Sequence, residues 1–150
     1  MPAYWLLKSE PDVFSWEMLV AKGAAGEEWS GVRNYQARNN MRAMKIGDLG
    51  FFYHSNIGLE IAGVCEVIKT AHPDSTDDTG KWDCVDVKAV AAMPTHVSMQ
   101  DAKKNPKLAN MMLLNNSRLS VQPVTEAEWN EICAMGGYTK TKAKSAGKRP

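Results

Sequence analysis

Cysteine is scarce in this 150-residue chain. Cys65, Cys84 and Cys133 are odd in number and show no CxxC spacing. Their pattern gives no disulfide framework and no zinc ligand pair, and they read as buried thiols in a reducing compartment. No stretch approaches the ~20 consecutive apolar residues that span a bilayer. The start, "MPAYWLLKSEPD", lacks a charged segment followed by a long apolar one. These absences point to a soluble intracellular protein without membrane contact, cytoplasmic, or nuclear in a eukaryotic cell. The HExxH, P-loop, GxSxG and dinucleotide-binding signatures are also missing. Positive grounds for an enzyme are thin, and no metal or cofactor is expected. Asp74, Asp77 and Asp78 lack the spacing of a calcium loop and read as a solvated turn.

Acidic residues are absent from two segments. "TKTKAKSAGKRP" (139–150) carries Lys140, Lys142, Lys144, Lys148 and Arg149 and no acid. Removing those five from the chain's 18 bases leaves 13 against 17 carboxylates, so residues 1–138 are mildly acidic and 139–150 form a basic, disordered tail. "GVRNYQARNNMR" (31–42) holds Arg33, Arg38 and Arg42, three asparagines, a glutamine and Tyr35 without one carboxylate. Donor capacity with no local partner suggests a wall of a site for a nucleobase and its phosphate.

A chain of this length forms one domain and buries roughly 68–70% of its unfolded surface without a metal or disulfide. "AYWLLK" (3–8) reads as a strand buried on both faces. Ser15 caps a short helix with Trp16, Leu19 and Val20 on one stripe. "EEWSG" is a short extended piece. A helix over 34–45 places Ala37, Met41 and Met44 inward behind an Asn34 cap, its N-terminus offering a seat for an anion. Strands follow at 48–55, 59–71 and 82–90, then short helical turns over 98–112 and a strand at 118–124 whose Pro123 marks an edge. Thr125 and Glu128 form a capping box opening a helix with Trp129, Ile132 and Cys133 inward, closed by Gly136-Gly137. The order implies an α+β protein, a small mixed β-barrel with flanking helices.

Trp5, Trp16, Trp82 and Trp129 lie on periodic apolar faces and are expected in the core. Trp29 lies in a loop and either stacks on a ligand or plugs the barrel end. As a platform, its replacement by alanine would leave thermal stability nearly unchanged. Adjacent strand residues face opposite ways, so His54 and Ser55 form no dyad, and Phe52 shares a face with His54. Lys8, Arg33 and Asn34 would converge on one end of the barrel.

The segments "YWLLKSEP", "W-SGVRNYQARNNMR", "GDLGFFYHS", "IAGVCEV" and "RLSVQPV" together resemble the EVE domain, the family of the thymocyte nuclear proteins, over residues 3 to about 136. The resemblance implies a PUA-like barrel related to ASCH and YTH domains. It also implies a non-catalytic, monomeric module that binds a modified base in nucleic acid, notably modified cytosine in DNA, or a modified base in RNA. By motif, the implied pocket comprises Lys8, Ser9, Trp29, Val32, Arg33, Asn34 and Tyr35, with Phe52, His54, Ser55, Leu119 and Ser120. Lys8, Arg33 and Arg38 would hold phosphates. The loop after His72 is shorter than the family pattern, and "NIGLEIAG" replaces its usual turn. A hydrolase or nuclease using His54, Ser9 or Asp48, and a protein-interaction domain, are the alternatives.

Overall fold

The computed structural model describes residues 3–116 and 118–138, so the basic segment 139–150 lies outside the described residues. Six strands form one mixed sheet in the order β2-β5-β4-β3-β1-β6. They are β1 (Tyr4–Ser9), β2 (Glu27–Glu28), β3 (Leu49–His54), β4 (Glu60–Pro73), β5 (Asp83–Ser98) and β6 (Val121–Val124). β1 and β3 run parallel; every other neighbouring pair is antiparallel. Among the described residues five α-helices flank it: α1 (Trp16–Ala21), α2 (Tyr35–Ala43), α3 (Met99–Lys104), α4 (Met112–Asn115) and α5 (Glu126–Gly136). This is the expected α+β architecture. Among the described residues no helix is long and apolar enough to cross a membrane.

Alternation along the central strands builds two cores. Tyr4, Leu6, Phe51 and Tyr53 face α5, where Trp129 stacks on Phe51 and Tyr4 with ring centroids 3.9 and 4.5 Å apart. Trp5, Leu7 and Phe52 face the other way, against α1 and α2 through Trp16, Leu19, Ala37 and Met41. β1 is therefore buried on both faces, as its unbroken apolar run predicts. α1 lies close to the sheet because Gly63 has no side chain: a Cβ there would come within 2.4 Å of the Trp16 ring.

The helix ends follow the chemistry of their first residues. Ser15, Asn34 and Thr125 accept from the backbone N–H of Met18, Ala37 and Glu128. Glu128 returns the bond to Thr125, completing the capping box, and Gly137 closes α5 in the left-handed conformation. Asp48, nearly fully buried, accepts from the backbone N–H groups of Ala3 and Lys45 and from the Trp5 indole, each at 3.0 Å. It ties the start of β1 to the turn before β3.

Candidate nucleic-acid interface

A pocket of about 610 Å³ opens on the α1/α2 side of the sheet, where β1 and β3 end. That is a usual size for a small-ligand site. Of the residues expected from sequence it gathers Lys8, Ser9, Trp29, Val32, Arg33, Ser55 and Ser120. The strand register explains part of this: Ser9 pairs with His54 across the parallel β1/β3 ladder, and the N–H of Ser55 donates to the Ser9 carbonyl at 2.9 Å. On the other side of β1 the Lys8 N–H donates to the Ser120 carbonyl, also at 2.9 Å, bringing the segment before β6 to the rim.

Trp29 belongs to both the pocket and the core. The residue is 6% exposed, and its ring stands nearly perpendicular to Phe52 and Phe14 at centroid distances of 5.4 and 6.3 Å while the side chain lines the cavity. Its backbone N–H donates to Val85 at 2.7 Å, continuing the β2/β5 ladder by one residue. The expectation that Trp29→Ala would spare stability does not survive this burial.

Several expected residues stand elsewhere. Phe52 is fully buried behind Trp29. His54 Nε2 accepts the Trp16 backbone N–H at 3.1 Å, and burial lowers the imidazole pKa against the opposing pull of Glu17 and Glu60. This histidine is neutral and structural. The Asn34 carboxamide caps α2, at 2.8 Å from the Ala37 N–H, so one donor at the proposed anion seat is already used. Leu119 is a core residue. The turn that leads into β6 places its neighbours Arg118 and Ser120 in the pocket instead, and the expected strand start at 118 moves to Val121.

Tyr35, Trp82 and Arg38 make a surface feature outside the pocket lining, joined to it by Arg33, whose guanidinium lies 5.6 Å from the Trp82 ring centre. Tyr35 stacks on Trp82 at 4.9 Å, and the Arg38 guanidinium lies 4.8 Å from the Tyr35 ring centre and 5.6 Å from that of Trp82. Arg38 Nη1 donates to the Lys81 carbonyl at 2.9 Å. Trp82 is half-buried on this surface, not a core residue as its strand position suggested.

Two of the three arginines of 31–42, Arg33 and Arg42, find carboxylates, supplied by the 74–83 region. Arg42 Nε lies 2.7 Å from Asp83. Arg33 donates to Asp74 at 3.2 Å, to its neighbour's carbonyl at 3.0 Å and to Thr76 at 3.0 Å. Asp74 is not part of a solvated turn: 1% exposed, it also accepts from the Gly31 N–H and from both the N–H and hydroxyl of Thr76. Burial alone would raise its carboxyl pKa, but the bonds from Thr76, Gly31 and Arg33 prevail and hold it below the ordinary value. Gly31 adopts φ +83°, so its backbone geometry, not lack of space, calls for glycine.

The remaining wall carries Glu10, Val13, Phe14, Glu27, Glu28, Ser30 and Arg118, none of them expected from sequence. Charge is mixed: Lys8, Arg33 and Arg118 meet Glu10, Glu27 and Glu28. A bare phosphate site would concentrate cations, whereas carboxylates accept from an exocyclic amine such as that of cytosine. Burial lowers the Lys8 ammonium pKa, and its Nζ lies 5.8 Å from the Tyr53 ring centre.

The fold defines the class: an α+β domain whose mixed sheet carries flanking helices and an aromatic-walled pocket at the end of its central strands. The EVE domain family model matches residues 3–135, and the chain belongs to that family. A crystal structure of a protein from Agrobacterium tumefaciens is 63% identical, with a TM-score of 0.90 over 92% of this chain and 95% of that one. Human thymocyte nuclear protein 1, solved in complex with DNA containing 5-methylcytosine, is 36% identical with a TM-score of 0.84, covering 91% of this chain and 99% of the other. The YTH domain of the Zygosaccharomyces rouxii MRB1 protein, solved with N6-methyladenosine RNA, is 19% identical at a TM-score of 0.56 over 93% and 89% of the two chains. At that identity the likeness is one of fold.

Proposed function

We propose that this chain is a non-catalytic reader of a modified base in nucleic acid, with a modified cytosine in DNA as the favoured ligand. The observation that carries the reading is the Trp29-walled pocket of mixed charge, in a chain with whole-domain similarity to a protein solved on 5-methylcytosine DNA. In this reading one base leaves its stack and enters beside Trp29 and Val32. Glu27 or Glu28 accepts from its amine, Ser120 and Ser55 offer hydroxyls, and Lys8, Arg33 and Arg118 face the flanking phosphates. One chain supplies every wall residue, so a monomer suffices.

The magnitudes are compatible with modest affinity. Extrusion costs a few kcal/mol from a duplex and less from a single strand. Stacking on an aromatic ring returns roughly 1–3 kcal/mol. A methyl group in an apolar niche discriminates by about 1–3 kcal/mol, or ten- to two-hundred-fold.

A binding role also accords with the commitments of the groups named for hydrolysis. His54 accepts from Trp16, the Ser9 hydroxyl donates to the Phe14 carbonyl at 2.5 Å, and Asp48 is enclosed by three N–H donors. The test is a titration of full-length protein with a 5-methylcytosine oligonucleotide and its unmodified twin, with product analysis after incubation with and without magnesium. Preference for the methylated strand with no turnover supports the reading. Equal affinity for both strands, or turnover, contradicts it.

A further inference from the structure

The β2-β5-β4 corner of the sheet brings together four side chains from sequence positions with no recognisable metal spacing. Glu28 pairs with Asp86 across β2/β5, and His72 pairs with Cys84 across β4/β5. Cys84 and Asp86 are two apart on β5 and so project from the same face. Between Lys69 and His72 the β4/β5 register shifts: three steps on β4 span two on β5. Such a bulge re-aims side chains. One ligand atom from each of Glu28, His72, Cys84 and Asp86 lies within 4.8 Å of the others.

The hydrogen bonds of His72 call for a positive species in this cluster. Nδ1 faces the Pro73 carbonyl at 3.2 Å, which can only accept; with the hydrogen on that nitrogen, a neutral imidazole presents a lone pair at Nε2. Nε2 then faces inward, 2.8 Å from the Asp86 carboxylate and 3.9 Å from Cys84 Sγ. A carboxylate and a nitrogen lone pair do not attract unless a proton or a cation lies between them. Directly opposed like charges such as Glu28 and Asp86 are destabilising across a ladder. Arg33 and Arg42 are paired with Asp74 and Asp83, Lys69 stands opposite Asp86 in the β4/β5 register, and the Ser75 hydroxyl donates to Glu28 at 2.6 Å. A backbone carbonyl holding the far nitrogen of an imidazole is also the usual support for a metal-ligating histidine.

We propose that Glu28, His72, Cys84 and Asp86 form a binding site for a divalent transition-metal ion of the zinc type. Tetrahedral ligands about 2.0–2.3 Å from an ion stand roughly 3.3–3.7 Å from one another, so the widest pairs would close by about 1 Å while His72 Nε2 and the Asp86 oxygen, 2.8 Å apart, would open by about 0.5 Å. Binding displaces the thiol proton to solvent, leaving His72 neutral and Cys84 as thiolate. Burial, reinforced by the neighbouring carboxylates, pushes the Cys84 thiol pKa up to about 12, so the ion itself must stabilise the thiolate. The site would fasten Glu28, which also lines the pocket, to β4 and β5.

The test is a cobalt(II) titration of chelator-treated full-length protein, followed through the thiolate-to-cobalt charge-transfer band. The expected result is a band saturating at one ion per chain and erased by excess zinc. It should be lost in Cys84→Ser and retained in Cys65→Ser and Cys133→Ser. Glu28→Gln and Asp86→Asn, at partly exposed positions, should each fold and weaken cobalt binding ten-fold or more. Absence of the band in the folded wild type, its persistence in Cys84→Ser, or unchanged affinity in both carboxamide variants would overturn the proposal.

Discussion

Arg33 and Asp74 stand 41 positions apart, and their guanidinium and carboxylate meet at 3.2 Å on the edge of the pocket. The same buried carboxylate accepts the Gly31 N–H, so one acid fixes both the backbone and the cation of the pocket wall. Asp74→Ala should cost about 1.5–3 kcal/mol in urea unfolding, the value of hydrogen bonds to a charged group. It should also weaken oligonucleotide binding. Because the folded-state pKa of Asp74 lies below the ordinary 3.8, its contribution is present above that pH and fades as pH falls through the lowered value.

Trp29 must be tested with its structural role in view. Trp29→Ala should lose about 3–5 kcal/mol of stability, as buried tryptophans do. Trp29→Phe keeps an aromatic filler, should lose less stability, and should still weaken binding through the smaller stacking face. Denaturation midpoints and affinities measured on the same preparations separate the two effects. Full affinity in a folded Trp29→Ala protein would remove the ring from the ligand contact.

His54 supplies a pH signature. Its pKa is lowered from 6.5, mainly by burial, so the unfolded chain takes up a proton before the folded one. Stability is therefore complete above about 6.5 and declines as pH falls toward the lowered folded value. In His54→Gln the amide oxygen can still accept the Trp16 N–H but does not titrate. Thermal midpoints at pH 7.5 and 5.5 should differ less in this variant than in the wild type.

Arg38 was expected to hold phosphate, yet it is bonded to Lys81 and stacked on Tyr35 and Trp82 outside the pocket lining. Arg38→Ala should leave oligonucleotide affinity within about two-fold. Arg118→Ala should lower it and reduce the slope of log affinity against log salt by about 1, the mark of one lost phosphate contact.

Local chemistry was readable and long-range pairing was not. Ser15, Asn34 and Thr125 cap helices as their side chains dictate, and the unbroken apolar run of β1 reveals burial on both faces. β5 extends to Ser98 because it has a 14-residue partner in β4, a tertiary fact that the expected end at 90 does not contain. The carboxylates serving Arg33 and Arg42 lie 41 positions away, so the segment 31–42 shows more unpaired donor capacity than the folded protein has. For the same reason the His72–Cys84–Asp86–Glu28 cluster is invisible to a search for short ligand spacings: strand register assembles it.

The five tryptophans allow a direct test of where a base binds. In ¹⁵N-labelled protein each indole N–H gives its own resonance, assignable by single Trp→Phe substitutions. On titration with a 5-methylcytosine oligonucleotide, the Trp29 resonance should shift or broaden far more than those of Trp5 and Trp129, and more than with the unmodified strand. A Trp29 signal that stays fixed at saturation, with Trp82 alone responding, would place the nucleic acid on the Tyr35–Trp82 surface and contradict the pocket.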